Sequence, residues 1–163
     1  MLTSPEITER AEQPYVAIRA KVSMAQLAGL ADRFGEVFGW LAARGVAPAG
    51  APFFRYHAID MDRELDVDAG VPVPMALDGD RLVTAGMLPA GRYATAVHIG
   101  PYDGLAGAVD GMLQWADSRG LKWDKSEAED GEHWGCRLEI YLTNPSEQPD
   151  PSKWQTNLAF RLK

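Results

Sequence analysis

"FGWLAARGV", residues 38–46, returns in the second half of the chain as "LQWADSRGL", residues 113–121. Trp40 matches Trp115, Arg44 matches Arg119 and Gly45 matches Gly120. In both copies apolar residues recur at helical spacing up to the Arg-Gly pair, and the glycine stands where a helix end accepts positive φ. Two further echoes keep the same order. Upstream, "PYVAIRAKV" (14–22) resembles "RYATAVHIG" (92–100); downstream, "FFRYHAID" (53–60) can be laid on "GCRLEIYL" (135–142). The separation between copies grows along the chain, as it would if loops had lengthened in the second. We read residues 1–163 as a single domain built by duplication, with halves of about 1–78 and 79–163.

Each half has the same grammar. In the first, "ITERAEQPYVAIRAKVS" reads as a strand pair or a bent strand broken near Gln13-Pro14. Ser23 with Gln26 three residues on forms a capping-box pattern. Leu27, Leu30, Phe34, Val37, Phe38 and Leu41 then mark one helix, closed at Gly45. Strands follow at "FFRYHAIDM" and around "DRELDVD" or "VPVPM". In the second half "DRLVTAGML" and "RYATAVHIG" flank the turn signal Pro89-Ala90-Gly91. Leu105, Val109, Met112 and Ala116 mark a helix from near Pro101 to Gly120. "CRLEIYL" and "QTNLAFRLK" are the last strands, and the acidic stretch 122–135 reads as a solvated loop tucked down by Trp123 and Trp134. The expected fold is α+β: duplicated β-α-β-β units with pseudo-two-fold symmetry, a mainly antiparallel sheet, one long helix per half and a central cleft.

Composition narrows the function. The chain has 163 residues, 46% of them apolar, enough for a real core, and a formal net charge of −7. It lacks the cationic field that attracts a phosphate backbone, so no direct nucleic-acid contact is expected. The lone Cys136 permits no intrachain disulfide and reads as a small buried residue. Three scattered histidines give no metal pattern, and without a P-loop or G-x-G-x-x-G no cofactor is expected. No leader-like or membrane-spanning segment is evident, which makes the cytoplasm the default location.

Alternation along "CRLEIYL" puts Cys136, Leu138, Ile140 and Leu142 on one face and Arg137, Glu139 and Tyr141 on the other. We expect the apolar face to meet the helix. The polar faces of the two halves would then meet in the cleft and bring Glu139 into it.

These segments together resemble the GyrI-like small-molecule-binding family, the effector-binding domains of bacterial transcription activators. The resembling elements are the "PAGRY" turn, "HIGPYDGL" before the helix, "QW…RG" at its end and the Glu-x-Tyr strand followed by "NP"; the first half adds "PFFRYH" and "VPVP". The resemblance implies a duplicated fold with a ligand cleft between its halves. It also implies ligands that are often aromatic cations, and a glutamate in the cleft, matched here by Glu139 with Tyr141 two residues on. Freestanding members include a gyrase-inhibitory protein and hydrolases that open cyclopropane-bearing, DNA-alkylating natural products. The resembling unit takes up all 163 residues, so a member without its own DNA-binding helices is expected.

The candidate ligand-binding residues are therefore Glu139, Tyr141, Tyr56, His57 and Tyr102. The repeat alignment sets His57 against Glu139, whereas a one-residue slip sets Tyr56 there. The leading expectation is a freestanding binding protein for apolar aromatic, often cationic or electrophilic, compounds. The alternative is a hydrolase with Glu139 and Tyr141 as catalytic residues, and a gyrase inhibitor ranks below both. A protein partner is left open, and a monomer or weak dimer is expected.

Overall fold

The computed structural model describes residues 1–163. Ten strands carry the chain: β1 (Glu6–Arg10), β2 (Gln13–Val22), β3 (Phe53–Ile59), β4 (Leu65–Pro72), β5 (Thr84–Leu88), β6 (Gly91–Ile99), β7 (Lys125–Ala128), β8 (Gly131–Trp134), β9 (Arg137–Tyr141) and β10 (Gln155–Arg161). The helices are α1 (Leu27–Ala31), α2 (Phe34–Ala43) and α3 (Leu105–Ser118). The first-half helix is thus interrupted at Asp32-Arg33 rather than continuous. It starts as expected, with the Gln26 side chain accepting from the Ser23 N–H at 3.0 Å.

The Arg-Gly repeat closes both long helices in the same way. Gly45 and Gly120 have φ of 68° and 66°, a conformation that costs an L-residue with a Cβ roughly 1–2 kcal/mol. Val46 and Leu121 then donate their N–H to the carbonyls of Leu41 and Ala116, the six-to-one bond that ends a helix on a left-handed residue. Arg44 and Arg119 lie over the rings of Trp40 and Trp115, at 3.5 and 4.7 Å from the centroids. The repeated motif is a helix stop with a cation-stacked tryptophan, built twice.

All the strand pairings are antiparallel, and the main sheet runs β1-β6-β10-β9-β3-β4-β2-β5, with the β7–β8 hairpin attached to β3. That order is a palindrome of the duplication. β9 and β3 lie at its centre, β10 and β4 flank them, β6 and β2 come next, and β1 and β5 close the ends. The outermost strands are exchanged: β1 of the first half pairs β6 of the second, and β5 of the second pairs β2 of the first. The Pro89-Ala90 turn therefore does not make a hairpin. It joins β5 at one end of the order to β6 near the other. On a flat sheet those strands would be about 30 Å apart, at ~4.8 Å per step. The short link spans only about 11 Å. The sheet must curl round until its ends approach, and the chain is left with an inside and an outside face.

The helices pack on one of these faces. Met112, Ala108 and Ala116 of α3 and Leu30 of α1 join Phe160, Leu158, Val67 and Ala69 in the largest core cluster. Val37, Trp40 and Leu41 of α2 cover Val16, Ile18 and Val71 on the same side. The inside of the curl is filled by Tyr15, Phe53, Leu88, Tyr93, Leu138 and Ala159, with Cys136 among them. This reverses the expected facing of "CRLEIYL". Its apolar side fills the curl, and the side bearing Arg137, Glu139 and Tyr141 lies under the helices. The acidic stretch 122–135 is also more than a loop. It forms the β7–β8 hairpin, pinned by Trp123 and Trp134 against Phe160 at 5.8 and 5.7 Å between ring centroids.

Candidate functional site

Because α1 and α2 cover one half of the sheet and α3 the other, a cleft opens between them above the central strands. Its volume is about 1220 Å³, and its lining comes from α1, α2, β3, α3, β9 and the segment after β9. Glu139, Tyr141, Tyr56 and Tyr102 all line it.

The ladder fixes where the symmetry axis falls. Tyr15 and Tyr93 are equivalent in the repeat, and their partners are Pro72 and Arg161. Two residues on, Gly70 and Ala159 pair Phe53 and Leu138. Phe54 is thus the counterpart of Glu139, and Tyr56 the counterpart of Tyr141. Phe54 and Glu139 also face each other directly across β3 and β9, so the axis passes between them. The two counterpart tyrosines converge on the carboxylate: Tyr141 and Tyr56 both donate their hydroxyls to Glu139 Oε2, at 2.9 and 3.1 Å.

His57 is not in this constellation. It lies at the irregularity between Tyr56 and Ala58, on the opposite face, where its Nε2 is 2.8 Å from Asp68 Oδ2. Asp68 is buried and also accepts from the Tyr15 hydroxyl. The repeat alignment that set His57 against Glu139 was out by an odd number of residues, which on a strand inverts the face.

Aromatic rings continue from the carboxylate along the cleft. Phe34 stacks on Phe54 at 5.4 Å, both approach Tyr141 edge-on, and Tyr102 links Tyr141 to Trp154 at 5.7 and 4.9 Å. Phe34 and Phe54 went unrecognised as site residues. Phe34 belongs to the apolar stripe of its helix, and only the correct counterpart of Glu139 would have marked Phe54. His98, by contrast, is buried with its Nε2 2.9 Å from the Pro101 carbonyl, a structural contact that holds the turn before Tyr102.

Glu139 is 9% exposed. Burial raises its pKa, opposed by the Tyr141 hydrogen bond, the Arg137 charge and the Tyr56 hydrogen bond. Burial and the neighbouring carboxylate hold both tyrosines well above the usual phenol range, so they remain hydrogen-bond donors. The sign of the linkage follows. A carboxyl whose folded pKa is raised adds stability below its unfolded value of about 4.3 and loses it as pH climbs through the folded value. At neutral pH the ionised group costs stability. Glu139→Gln keeps an oxygen for both hydroxyls and should raise the Tm of the ligand-free protein at pH 7, with the gain fading toward pH 4. A Tm at pH 7 equal to or below wild type would show that burial does not strain the carboxylate.

Over residues 3–163 the sequence matches the GyrI-like small molecule binding domain. The chain belongs to the GyrI-like family. No protein of curated function matches it. This GyrI-like chain superposes on the C-terminal domain of EcmrR with a TM-score of 0.77 at 19% identity, covering 98% of this chain and 97% of that one. It spans 57% of the EcmrR chain in a DNA complex. SAV2435 bound to tetraphenylphosphonium gives a TM-score of 0.69 at 10% identity, with 99% and 94% covered. A hydrolase from Listeria innocua gives 0.61 at 17%, with 98% and 91% covered. At such identities the likeness is one of fold. The GyrI-like fold here has no helix long and apolar enough to cross a membrane, and no group of three or more His, Cys, Asp or Glu side chains is placed to hold a metal.

Proposed function

We propose that this GyrI-like domain takes up lipophilic aromatic cations in the cleft, with Glu139 as their charge partner. The charge balance of the lining carries the reading. Six acidic residues, Asp32, Asp103, Asp110, Glu132, Glu139 and Glu147, face one basic residue, Arg137. Glu139 is the buried member, and Phe34, Phe54, Tyr141 and Tyr102 surround it with the π-faces that cations favour. A carboxylate held dry by two hydroxyls has little water to shed when a cation arrives, so most of the attraction is retained. Tetraphenylphosphonium is the first probe. At a hundred times its dissociation constant a ligand stabilises by about 2.7 kcal/mol, which is roughly 5–10 °C in Tm for a chain of this length. No shift at millimolar probe, with tryptophan fluorescence also unchanged, would defeat the reading.

The same carboxylate supports a second reading, a hydrolase for strained electrophiles. Its raised pKa suits proton transfer, and Oε1 has no hydrogen-bond partner in the protein. Water would form a bond to a cyclopropane carbon as the ring bond breaks. The electron pair would pass to the conjugated carbonyl oxygen, which a tyrosine hydroxyl stabilises. Glu139 would take the proton lost by water and return it to that carbonyl oxygen, so that one whole water is added and the carboxylate is restored. Mass spectrometry decides between the readings. Turnover adds one water to the substrate and is lost in Glu139→Gln while the neutral substrate still binds; a pure binding protein returns it unchanged.

A further inference from the structure

Arg137 is the one cation in the lining, and its surroundings are unusual. Its guanidinium lies over three rings, at 4.7 Å from Phe160, 4.9 Å from Trp134 and 5.8 Å from Tyr56. Stacking of this kind satisfies the faces of the guanidinium plane. The five N–H donors point outward in the plane and need acceptors. None of them has one. Nε is buried without a partner, and no side chain or carbonyl of the protein accepts from the terminal nitrogens. Arg55 also has a buried, unpartnered Nε, but its terminal nitrogens are bonded, as are the heads of Arg161 and Arg19. Arg55 reaches the Tyr15 hydroxyl, the Met87 carbonyl and the Gly135 carbonyl, Arg161 reaches Asp124, and Arg19 grips Asp66. Glu139 and Arg137 feel each other's charge, but they form no direct ion pair, and the two tyrosines hold Oε2 of Glu139. The two charges stay apart on one strand face, two residues from each other, both in the cleft wall.

We propose that Arg137 is a second recognition element, which receives an anionic or strongly accepting oxygen of the ligand while Glu139 receives its positive end. The preferred ligands are then amphoteric aromatic molecules, with a cationic centre and a carboxylate or comparable oxygen on a short arm. A planar fork with free edges is suited to a bidentate carboxylate, and its stacked rings hold it ready in that orientation. The proposal rests on the cation reading above, so the test must separate the two.

A matched pair of probes does so: carboxybutyl-triphenylphosphonium and its methyl ester, titrated at pH 7 by calorimetry into wild type and Arg137→Met. Wild type should bind the acid at least tenfold more tightly than the ester. Arg137→Met should abolish that preference while binding the ester no more weakly than wild type. If Arg137 served only to offset the charge of Glu139, wild type would bind the acid no better than the ester. That result overturns this proposal and leaves the cation reading standing. If neither probe bound, both would fall. The wild-type comparison needs no variant, and Arg137→Lys, which keeps the charge but loses the fork, should show a reduced preference even if Arg137→Met fails to fold.

Discussion

Glu139→Gln should weaken tetraphenylphosphonium binding by about a hundredfold. A group that touches the phenyl rings of this cation lies on the order of 6 Å from the phosphorus. Two unit charges at that distance in an effective dielectric of about 20 attract by about 3 kcal/mol, close to two decades in affinity. Glu139 is the buried carboxylate among the six acids of the cleft, so salt screens its share least. The other five are more exposed and set the approach more than the affinity. The same substitution should stabilise the free protein, which makes the result hard to mistake for damage: a variant that melts higher yet binds a hundred times more weakly has lost a charge and not a fold. Calorimetry at two salt concentrations measures both parts. A loss of less than threefold would mean that the cation does not sit near Glu139.

Phe160→Ala should be among the most destabilising single changes in the chain, at about 3–5 kcal/mol. Phe160 is fully buried in the largest core cluster and touches both tryptophans that pin the β7–β8 hairpin. Its ring also carries the guanidinium of Arg137. Removing it leaves a cavity where neighbours from the sheet, the hairpin and the cleft wall all lose contact, and a sheet closed by curling has little freedom to collapse into the gap. At roughly 2–4 °C per kcal/mol the Tm should fall by about 6–20 °C. Chemical denaturation gives the free energy directly, and a cost under 1 kcal/mol would show that the cluster repacks.

The helix ends and strand faces were legible in the sequence because they depend on neighbours a few residues away. Gly45 and Gly120 mark stops that any helix of this spacing needs. Alternation correctly grouped Arg137, Glu139 and Tyr141 on one face. What alternation could not supply was which face looks at the helices. Hydrophobicity separates buried from exposed, and in a curled sheet both faces are buried: Leu138 and Phe53 fill the inside while Phe54 and Tyr56 lie beneath the helices. Tyr56 and His57 could not be told apart in the sequence for a related reason. Short similar segments align tolerably at several offsets, and an odd error inverts the face. The exchanged strands β1 and β5 depend on contacts between distant parts of the chain, and no local pattern announces them. Arg137 stood beside Glu139 in the sequence from the start, but its free edges emerge only when the side chains around it are placed.

The position of Glu139 on the axis has a further consequence. Two identical subunits meeting about a two-fold axis must present the same residue from each side, so a glutamate there would face a second glutamate. The repulsion would force one of them to hold a proton or turn away. A chain that carries both copies of the fold within itself is free of that rule. Its two central strands can drift apart in sequence, so that one keeps the acid and the other offers the phenyl ring of Phe54, while Tyr56 and Tyr141 stay alike and serve the single carboxylate from both sides. A lone carboxyl at the centre of a symmetric frame, with no second one to share its proton, is open to a fused protein and closed to a homodimer.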